Sequence, residues 1–453
     1  MRAQRWRRLP RGAAVVTDLA DVALEAEDQG RPVVLLPRDA TLDTLDSRWS
    51  GLTYRAACAA VILGDDSPEL AALVRHCCDR AKMNRNTGAT RAKSWARNIV
   101  SNVHHLSTVP PAQSMVGEFA GVPAFIVGAG PSLSKHIELA NAASAYGIVI
   151  AVNAGSVPVH GQCVLSVEAH DLGHKMAMRG SAKVLSLSCP PSMYARGSGP
   201  VLPIYTAEVS RALELLTGVP RVATSGSGST AAVALAHTWG CDPIVLLGQD
   251  LAYTGGRVYA AQTGLDDTVS DAGEFRWSAA SRGSTRAAEL PPAMACPHMV
   301  QSWDRRGEVL ADVGFSAVAK WLTSAAAHIT TPINATEGGR HIPGWQHVTL
   351  ASALRRMEPR GVTIAEIMAA AGKPCGRDEV KRWLTDTAQK HLLDAYAMGE
   401  VTRLMDAWRE ATPWRSAAME YTLTRRHATS LRDAVRRSRA ELTALCMDAA
   451  SSI

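Results

Sequence analysis

The feature that most constrains this chain is a series of short apolar segments between residues 124 and 247 that alternate with segments of helical pattern. Each apolar segment has four or five residues, as expected of strands that are buried on both faces. Strands that alternate with helices form a parallel sheet covered by helices. We therefore predict an α/β fold with a Rossmann-like central domain and a mostly parallel sheet. The predicted strands are Ala124–Val127, Ile148–Val152, Cys163–Val167, Val184–Leu187 and Ile244–Leu247, and helices are predicted over Ser132–Tyr146 and Ser229–Trp239.

The regions on either side of this domain have different patterns. Before it, Pro32–Pro37 predicts a short buried strand, Tyr54–Leu63 is another apolar segment, and Arg91–Leu106 predicts a helix. After about Gln346 the strand pattern stops, and apolar residues recur at helical spacing. We predict a small N-terminal α/β region over residues 1–115, the Rossmann-like domain over 116–345 and a helical C-terminal region over 346–453. The helical spacing is carried by Val401, Leu404, Met405 and Trp408, and then by Leu431, Val435, Leu442 and Leu445.

Composition and charge exclude several classes of protein. Hydrophobic residues make up 47% and charged residues 20% of the chain, which is ordinary for a globular protein. The formal charge of +6 suits anionic ligands such as nucleotides but is too small to imply nucleic acid. Four arginines lie within Met1–Arg8, yet no apolar segment follows them, and no apolar run reaches the roughly 18–20 residues that span a bilayer. The nine cysteines form no CxxC pair. We therefore expect a cytoplasmic protein with reduced thiols, no membrane span and no metal site.

The loop Gly128-Ala-Gly-Pro-Ser-Leu133 stands between a predicted strand and a predicted helix. Gly128 and Gly130 allow a ligand to approach the backbone closely, and Ser132 can cap the helix, whose N-terminus attracts phosphate. A purely structural tight turn is the alternative. The dinucleotide fingerprint has a third glycine three residues after the second, at the position of Leu133, which follows Ser132 here. Its absence argues against a redox cofactor.

Polar residues follow several other predicted strands. Ligands of parallel sheets bind at the carboxyl ends of the strands, where these side chains would converge, although each could instead be a helix cap. A second glycine- and serine-rich segment, Thr224–Thr230, leads directly into an apolar helix and is suited to an anion or to sugar hydroxyls, with a flexible linker as the alternative. The candidate binding residues in these loops are Asn153, Glu168, Asp171, Ser225, Ser227, Gln249 and Asp250.

Three longer motifs, in this order along the chain, resemble the Maf motility-associated factors. They are Val122–Leu133, Gly240–Tyr253 and Ile333–Gly344, and Trp95, Asn98 and Asn102 on the preceding helix resemble the same family. The resemblance covers about Ser94 to Gly344. The wider family includes the MptE-type 6-hydroxymethylpterin pyrophosphokinases. Maf proteins are implicated in transferring nonulosonic (sialic-acid-like) sugars from CMP donors to flagellin Ser and Thr, and their central domain is similar in fold to bacterial sialyltransferases.

The resemblance implies roles for particular residues. Gly128, Gly130 and Ser132 would line the nucleotide phosphate, and Asn153 and Ser227 would hold the ribose or cytosine. Tyr253 and Tyr259 have the spacing of two tyrosines that stabilise the departing phosphate in those sialyltransferases, which hydroxyl donors can do without a metal. Two loop tyrosines that pack on their neighbours are the alternative. The third motif adds Asn334 and Glu337 to the candidate donor site.

A general base should take the proton of the acceptor hydroxyl, and histidine suits this near neutral pH. We favour His298, which follows the polar insertion Gln262–Leu290; His170 and His341 are the other candidates, and each could be structural.

The sequence thus predicts a glycosyltransferase that acts on a nucleotide-sugar donor and a protein or glycan acceptor, flagellin-like by resemblance, without a cofactor. One alternative is an ATP-dependent 6-hydroxymethylpterin pyrophosphokinase, in which Asp171 and Asp250 would hold Mg²⁺. Another is an accessory protein that binds a nucleotide or sugar without turning it over.

Overall fold

The computed structural model describes residues 15–17, 33–35, 61–62, 91–171, 175–178, 180–206, 211–265, 268–269, 275–276, 298–393, 396–397 and 428–453. The chain divides into two compact units, of which the first comprises Met1–Lys93 with Ala397–Ala440 and the second Ser94–Tyr396 with Glu441–Ile453. The second unit extends across the boundaries that we placed near residues 115 and 345. The three-region division stays a prediction.

The described strands of the first unit form a small parallel sheet of three strands in the order β2-β1-β3. Strands β2 and β3 lie within the two apolar segments singled out in the sequence, whereas β1 was not predicted. The helical residues predicted over Val401–Trp408 lie outside the described residues. The strands are β1 (Val15–Thr17), β2 (Val33–Leu35) and β3 (Val61–Ile62).

The second unit is built on a sheet of eight strands, all parallel, in the order β15-β14-β9-β4-β5-β6-β7-β8. The predicted α/β class and mostly parallel sheet are confirmed. Its strands are β4 (Ala124–Val127), β5 (Ile148–Val152), β6 (Cys163–Ser166), β7 (Ala182–Ser186), β8 (Val201–Ile204), β9 (Ile244–Leu247), β14 (Pro332–Asn334) and β15 (Gln346–His347); two hairpins add β10 (Thr268–Val269), β11 (Phe275–Arg276), β12 (His298–Gln301) and β13 (Glu308–Ala311).

Helices account for most of the remaining described residues. The predicted helix over Ser132–Tyr146 is divided into the 3-10 helix Pro131–Lys135, the short α2 and the 3-10 helix Ala143–Ala145. Within the described residues, no helix is long and apolar enough to cross a membrane. The α-helices are α1 (residues 91–102), α2 (Ile137–Ala142), α3 (Pro191–Ala195), α4 (Arg211–Thr217), α5 (Gly228–Thr238), α6 (Val313–Ala326), α7 (Leu350–Leu354), α8 (Ile364–Ala370), α9 (Arg377–Arg382), α10 (Gln389–His391) and α11 (Ala428–Ser452), with a π-helical turn at Trp383–Ala388.

The sheet has an apolar layer on each face because alternate side chains of a strand point to opposite sides. In β5, Ile148 and Ile150 pack into a core with α5, α6 and α8, whereas Val149 and Ala151 pack into a second core with α2 and α7. Strands β4 and β9 alternate in the same way. Helices on both faces explain why these strands read as continuous apolar runs in the sequence.

The segment after Gln346 is part of this unit as far as Tyr396. Strand β15 pairs with β14 at one edge of the sheet, and α7 supplies buried leucines to the core. Further along, the buried Trp383 indole N–H donates to the carbonyl of Ala212 at 2.8 Å. The helical C-terminal pattern therefore begins inside the sheet unit, where α7 packs on one face of the sheet and α8 on the other.

Candidate functional site

A cavity of about 520 Å³ lies at the carboxyl ends of the central strands. Strand β4 has β5 on one side and β9 on the other. After β4 the chain first adds strands β5 to β8 on one side of it and then adds β9 on the other side, so β4 is a switch point in the strand order. Such switch points leave a crevice between neighbouring loops, which is where open α/β sheets bind ligands. The cavity is lined by residues 128–130, 152–154, 168, 175, 226–229, 248–253, 258, 259, 265, 312, 314, 315 and 318.

The structure brings together most of the residues predicted to bind the donor. The loops after β4, β5, β6 and β9 and the start of α5 all contribute to one wall or another of the cavity. Convergence of separate loops on one sheet edge is the outcome that their sequence positions predicted. The predicted residues that line the cavity are Gly128, Gly130, Asn153, Glu168, Ser227, Gln249, Asp250, Tyr253 and Tyr259.

The loop after β4 is held tightly against the loop after β9. The Gly130 N–H donates to the Gly248 carbonyl at 2.9 Å, and the Gly128 N–H donates to the Leu247 carbonyl at 2.8 Å. A Cβ on Gly130 would lie 2.1 Å from Asp250 Oδ1 and 2.7 Å from Gly248 O. Gly130 is therefore required by the packing of the two loops, whatever ligand the cavity holds.

Asp250 is the centre of this contact and is only 2% exposed. Its carboxylate accepts hydrogen bonds from the Ser132 hydroxyl at 2.7 Å, from the Thr254 hydroxyl at 2.7 Å and from the Ser132 N–H at 3.3 Å. Burial raises the pKa of Asp250, and the hydrogen bonds from Thr254 and Ser132 oppose that rise.

These bonds occupy the polar groups of Ser132 that we expected to cap a helix and to contact phosphate. The helix that follows begins instead with Gly130 at the N-cap position and Pro131, which has no N–H, and it is a 3-10 helix of five residues. A buried carboxylate beside a short helix makes this loop a poor site for an anion.

The segment that leads into α5 has the opposite character. Ser227 is the N-cap of this 11-residue helix, and its side chain accepts from the Ser229 N–H. The hydroxyls of Thr224 and Thr230 are hydrogen-bonded at 2.7 Å, which ties the turn to the helix. Gly226 has a φ of +91°, and no atom lies within 4 Å of its Cβ position. An ordered helix N-terminus that lines a cavity attracts negative charge through its free N–H groups and its dipole.

Two amide side chains in the lining carry polar atoms without a hydrogen-bond partner in the described part of the chain. They are Nε2 of Gln249, a residue only 3% exposed, and Oδ1 of Asn153. Asn153 also has a φ of +47°, which is uncommon for a residue other than glycine. Buried polar groups are normally paired, so a donor and an acceptor left over at one cavity point to a ligand that supplies the partners.

The two tyrosines predicted to act together do share the cavity. The Tyr253 hydroxyl donates to Asp312 Oδ2 at 2.5 Å, and its ring lies 5.2 Å from that of Phe315. Burial and the hydrogen bond to Asp312 raise the pKa of Tyr253, and the proximity of Tyr259 adds to the rise. Tyr253 is therefore held in place by a carboxylate, whereas Tyr259 is half-buried in the same wall.

Several predicted residues lie outside the lining. The exposed Asp171 accepts from the Ser192 hydroxyl at 2.5 Å and lies 3.6 Å from Arg196, so it is engaged away from Asp250. Exposed Ser225 contacts Thr230. Within the described residues, no group of three or more His, Cys, Asp or Glu side chains could hold a metal.

The residues of the third motif support the loop that covers the site. Asn334 is fully buried and donates to His347 Nε2 at 3.2 Å, and Glu337 accepts from the N–H of Leu350 at 2.8 Å. A Cβ on Gly339 would lie 2.1 Å from the carbonyl oxygen of Asp250, so this loop packs directly on that residue. Asn334 and Glu337 thus shape the surroundings of the cavity.

None of the three candidate histidines lines the cavity. His298 Nε2 is 2.7 Å from the Ser316 hydroxyl, which also accepts from Arg340. His341 Nε2 accepts from Arg305 and its ring is stacked on His347, with centroids 4.1 Å apart. His170 is exposed. The assignment of His298 as the base stays a prediction.

Sequence reasoning missed two charged residues of the lining, Lys175 and Asp312. Asp312 is 5% exposed and is the N-cap of α6, where its Oδ1 accepts from the Phe315 N–H at 2.7 Å. An Asp directly before an apolar helical run is a recognisable cap in the sequence. Lys175 follows no predicted strand, and nothing in the local sequence marks it.

Comparison with known proteins gives two similarities. Residues 97–256 match the family model described as 6-hydroxymethylpterin diphosphokinase MptE-like. The solved structure of a Maf glycosyltransferase from Magnetospirillum magneticum AMB-1 resembles this one with a TM-score of 0.53 and 14% identity, over 98% of this chain and 74% of that chain. No curated protein matches the sequence. The resemblance to the MptE-like and Maf families is confirmed, and at this identity the second similarity concerns the fold.

Proposed function

We propose that this chain is a glycosyltransferase that moves a nonulosonic sugar from a CMP-activated donor to a hydroxyl of a protein or glycan. The observation that carries the proposal is the switch-point cavity, in which a helix N-terminus, unpaired amide groups and two tyrosines converge. The MptE-like match and the Maf-like fold support it. By the same resemblance, the acceptor would be flagellin-like and the protein would act in the cytoplasm without a cofactor.

In this proposal the donor phosphate lies at the start of α5. The N–H groups of the first turn and the Ser227 hydroxyl would hold it, and the Lys175 ammonium in the same lining would add a positive charge. The glycine loop after β4 would form the floor of the cavity, since its Ser132 is already bonded to Asp250.

The base and ribose of the donor would be held by the amide groups. Gln249 Nε2 is a donor and Asn153 Oδ1 an acceptor, and a cytosine ring or a ribose offers both complementary groups. Glu168, at the end of β6, is in the same lining and is suited to sugar hydroxyls.

The half-buried Tyr259 would donate to the phosphate as the glycosidic bond breaks. Hydroxyl donors placed where negative charge develops typically contribute about 10²–10³ in rate. CMP is a good leaving group once its phosphate is stabilised, so this chemistry needs neither a redox group nor a metal of its own.

A charge test at the start of α5 examines the proposal. Ser227→Asp and Ser227→Asn both retain an N-cap side chain of similar size, but only Asp places a negative charge beside the expected phosphate. We expect Ser227→Asp to weaken CMP binding by at least about tenfold and Ser227→Asn to bind within about threefold of wild type, measured by calorimetry. Equal CMP affinities in the two variants would contradict the placement of the donor phosphate at the start of α5.

The MptE-like match also favours a second function, transfer of diphosphate from ATP to a 6-hydroxymethylpterin. Titration of the wild-type protein with CMP, CDP, UDP, GDP and ATP separates the two. Preference for ATP with turnover that EDTA abolishes would favour the kinase, and preference for CMP with EDTA-resistant CMP release would favour the glycosyltransferase. CMP binding without turnover on any acceptor would indicate an accessory protein.

A further inference from the structure

The contact between Tyr253 and Asp312 gives the two tyrosines of the cavity different roles. The hydroxyl hydrogen of Tyr253 is engaged by Asp312 Oδ2, and the Tyr253 backbone N–H donates to the Leu310 carbonyl at 2.8 Å. Tyr253 is only 5% exposed. A hydroxyl has one hydrogen to donate, so Tyr253 cannot donate to a phosphate while it holds this carboxylate.

Both oxygens of the Asp312 carboxylate are held by hydrogen bonds from the protein. Its Oδ1 accepts from the Phe315 N–H and its Oδ2 from Tyr253, yet each carboxylate oxygen has a second lone pair. The residue lines the cavity together with Gly314, Phe315 and Val318 of α6. An oriented carboxylate with spare acceptor capacity can receive a proton from a hydroxyl.

The other candidates for this task are less well placed. Asp250 already accepts bonds from the Ser132 hydroxyl and N–H and from Thr254, and it is 2% exposed. His298 lies outside the lining, with its Nε2 against the Ser316 hydroxyl. Glu168 is at the end of β6, two strands away from β4 and three from β9, whereas Asp312 is bonded to one of the two tyrosines.

We propose that Asp312 is the general base of the reaction and that Tyr253 is its positioning residue. The inference rests on the proposed glycosyl transfer. The proton of the acceptor hydroxyl passes to the Asp312 carboxylate while the acceptor oxygen forms a bond to the anomeric carbon. The bond from that carbon to the phosphate oxygen breaks, and its electron pair leaves with CMP, which Tyr259 stabilises.

The test uses Asp312→Asn in the full-length chain. Asparagine caps a helix as well as aspartate, so α6 should keep its N-cap, and CMP affinity should stay within about twofold of wild type. Transfer to a hydroxyl acceptor should fall by about 10²–10⁴ in kcat. Near-normal transfer, or loss of CMP binding together with transfer, would overturn the assignment.

Azide supplies the readout that a structural role would not change. Azide is an anion that attacks carbon without giving up a proton, so it needs no base, and its product with the donor is a glycosyl azide plus CMP. Added azide should restore CMP release in Asp312→Asn, and in Tyr253→Phe, where the base is displaced. CMP release that azide leaves unchanged in Asp312→Asn would assign Asp312 to structure alone.

Tyr259→Phe is the matched control. Its expected defect is in stabilising the departing phosphate, which azide attack still requires, so azide should not restore it. Rescue of Tyr259→Phe equal to that of Tyr253→Phe would contradict the division of roles between the tyrosines. If the wild-type protein releases no CMP from any donor, the proposed glycosyl transfer is wrong, and the assignment of Asp312 as its base is wrong with it.

Discussion

The chain contains two glycine-rich segments before helices that look alike in sequence and differ in the structure. Gly128–Leu133 and Thr224–Thr230 each combine small residues, serine and a following helical pattern. The first leads into a 3-10 helix of five residues, and the second into an α-helix of 11 residues. The hydroxyl of Ser132 donates to a buried carboxylate, whereas that of Ser227 caps a helix on the cavity wall.

The difference teaches that small residues serve two purposes at a sheet edge. At Gly130 the absence of a side chain lets the loops after β4 and β9 pack against each other, and its backbone is in an ordinary extended conformation (φ −63°, ψ 156°). At Gly226 nothing lies within 4 Å of the Cβ position, and the glycine serves a φ of +91°. Glycine is needed at position 130 because a side chain would not fit there, and at position 226 because the backbone adopts a positive φ.

The largest expected effect comes from exchanging these two glycines for alanine. Gly130→Ala places a Cβ 2.1 Å from Asp250 Oδ1 and 2.7 Å from a backbone oxygen, so we expect a loss of about 3 kcal/mol or more in unfolding free energy. Gly226→Ala should lose only about 1–2 kcal/mol, for its positive φ. Denaturant unfolding of both variants measures this difference in unfolding free energy. Equal losses of stability would contradict the different roles assigned to the two glycines.

Titration of Asp250 sharpens the comparison, because Ser132 in the loop after β4 donates hydrogen bonds to this buried carboxylate of the loop after β9. Burial raises the pKa of Asp250 in the folded state, so the folded protein retains this proton to higher pH than the unfolded chain does. The stability contributed by the protonated form is complete below the unfolded pKa and is lost as pH rises through the folded pKa. Relative to Asp250→Asn, the wild type should therefore become less stable as pH increases from about 4.

Thermal unfolding of the wild type and Asp250→Asn across that pH range checks this sign. Asparagine keeps the shape of the side chain without a charge, so other titrating groups cancel in the difference between the two proteins. A difference that grows in favour of the wild type with rising pH would show that the hydrogen bonds to Asp250 outweigh its burial.

The smallest expected effect compares the serines of the two glycine-rich segments. Ser227→Ala removes an N-cap and should lower the unfolding free energy by about 1 kcal/mol. Ser132→Ala removes one hydrogen bond to Asp250 and should have a similar effect of about 0.5–1.5 kcal/mol. The variants should differ in ligand binding, since only Ser227 is at the proposed phosphate site. If calorimetry finds that Ser132→Ala lowers the CMP affinity and Ser227→Ala does not, the phosphate site would be assigned to the loop after β4 instead.

Much of the fold could be predicted because its signals are local. Strands buried between two layers of helices need apolar side chains on both faces, so β4, β5, β6, β7 and β9 appear as apolar runs, four of them close to their observed bounds. The strands β8, β14 and β15 are missing from the prediction. Strands β14 and β15 have only two or three residues, too few for a pattern, and β8 contains Pro203, which weakens a strand signal.

The candidate site was only partly predictable for a different reason. Loops that follow parallel strands meet at one edge, and this rule by itself places Asn153, Glu168 and Gln249 in one cavity. The partners of each side chain are set by residues far away in sequence. Asp250 lies 118 positions from Ser132, and Tyr253 lies 59 positions from Asp312.

The sequence by itself determined the α/β class, the central strands and the edge of the sheet at which chemistry should be sought, because periodicity and chain direction are properties of neighbouring residues. Tertiary structure alone decided that the N–H and hydroxyl groups of Ser132 are bonded to a distant carboxylate, whereas Ser227 caps a helix on the cavity wall. It also decided that the Tyr253 hydroxyl donates to Asp312. Hydrogen bonds form between atoms that are close in space, and the fold, not the local sequence, sets those distances.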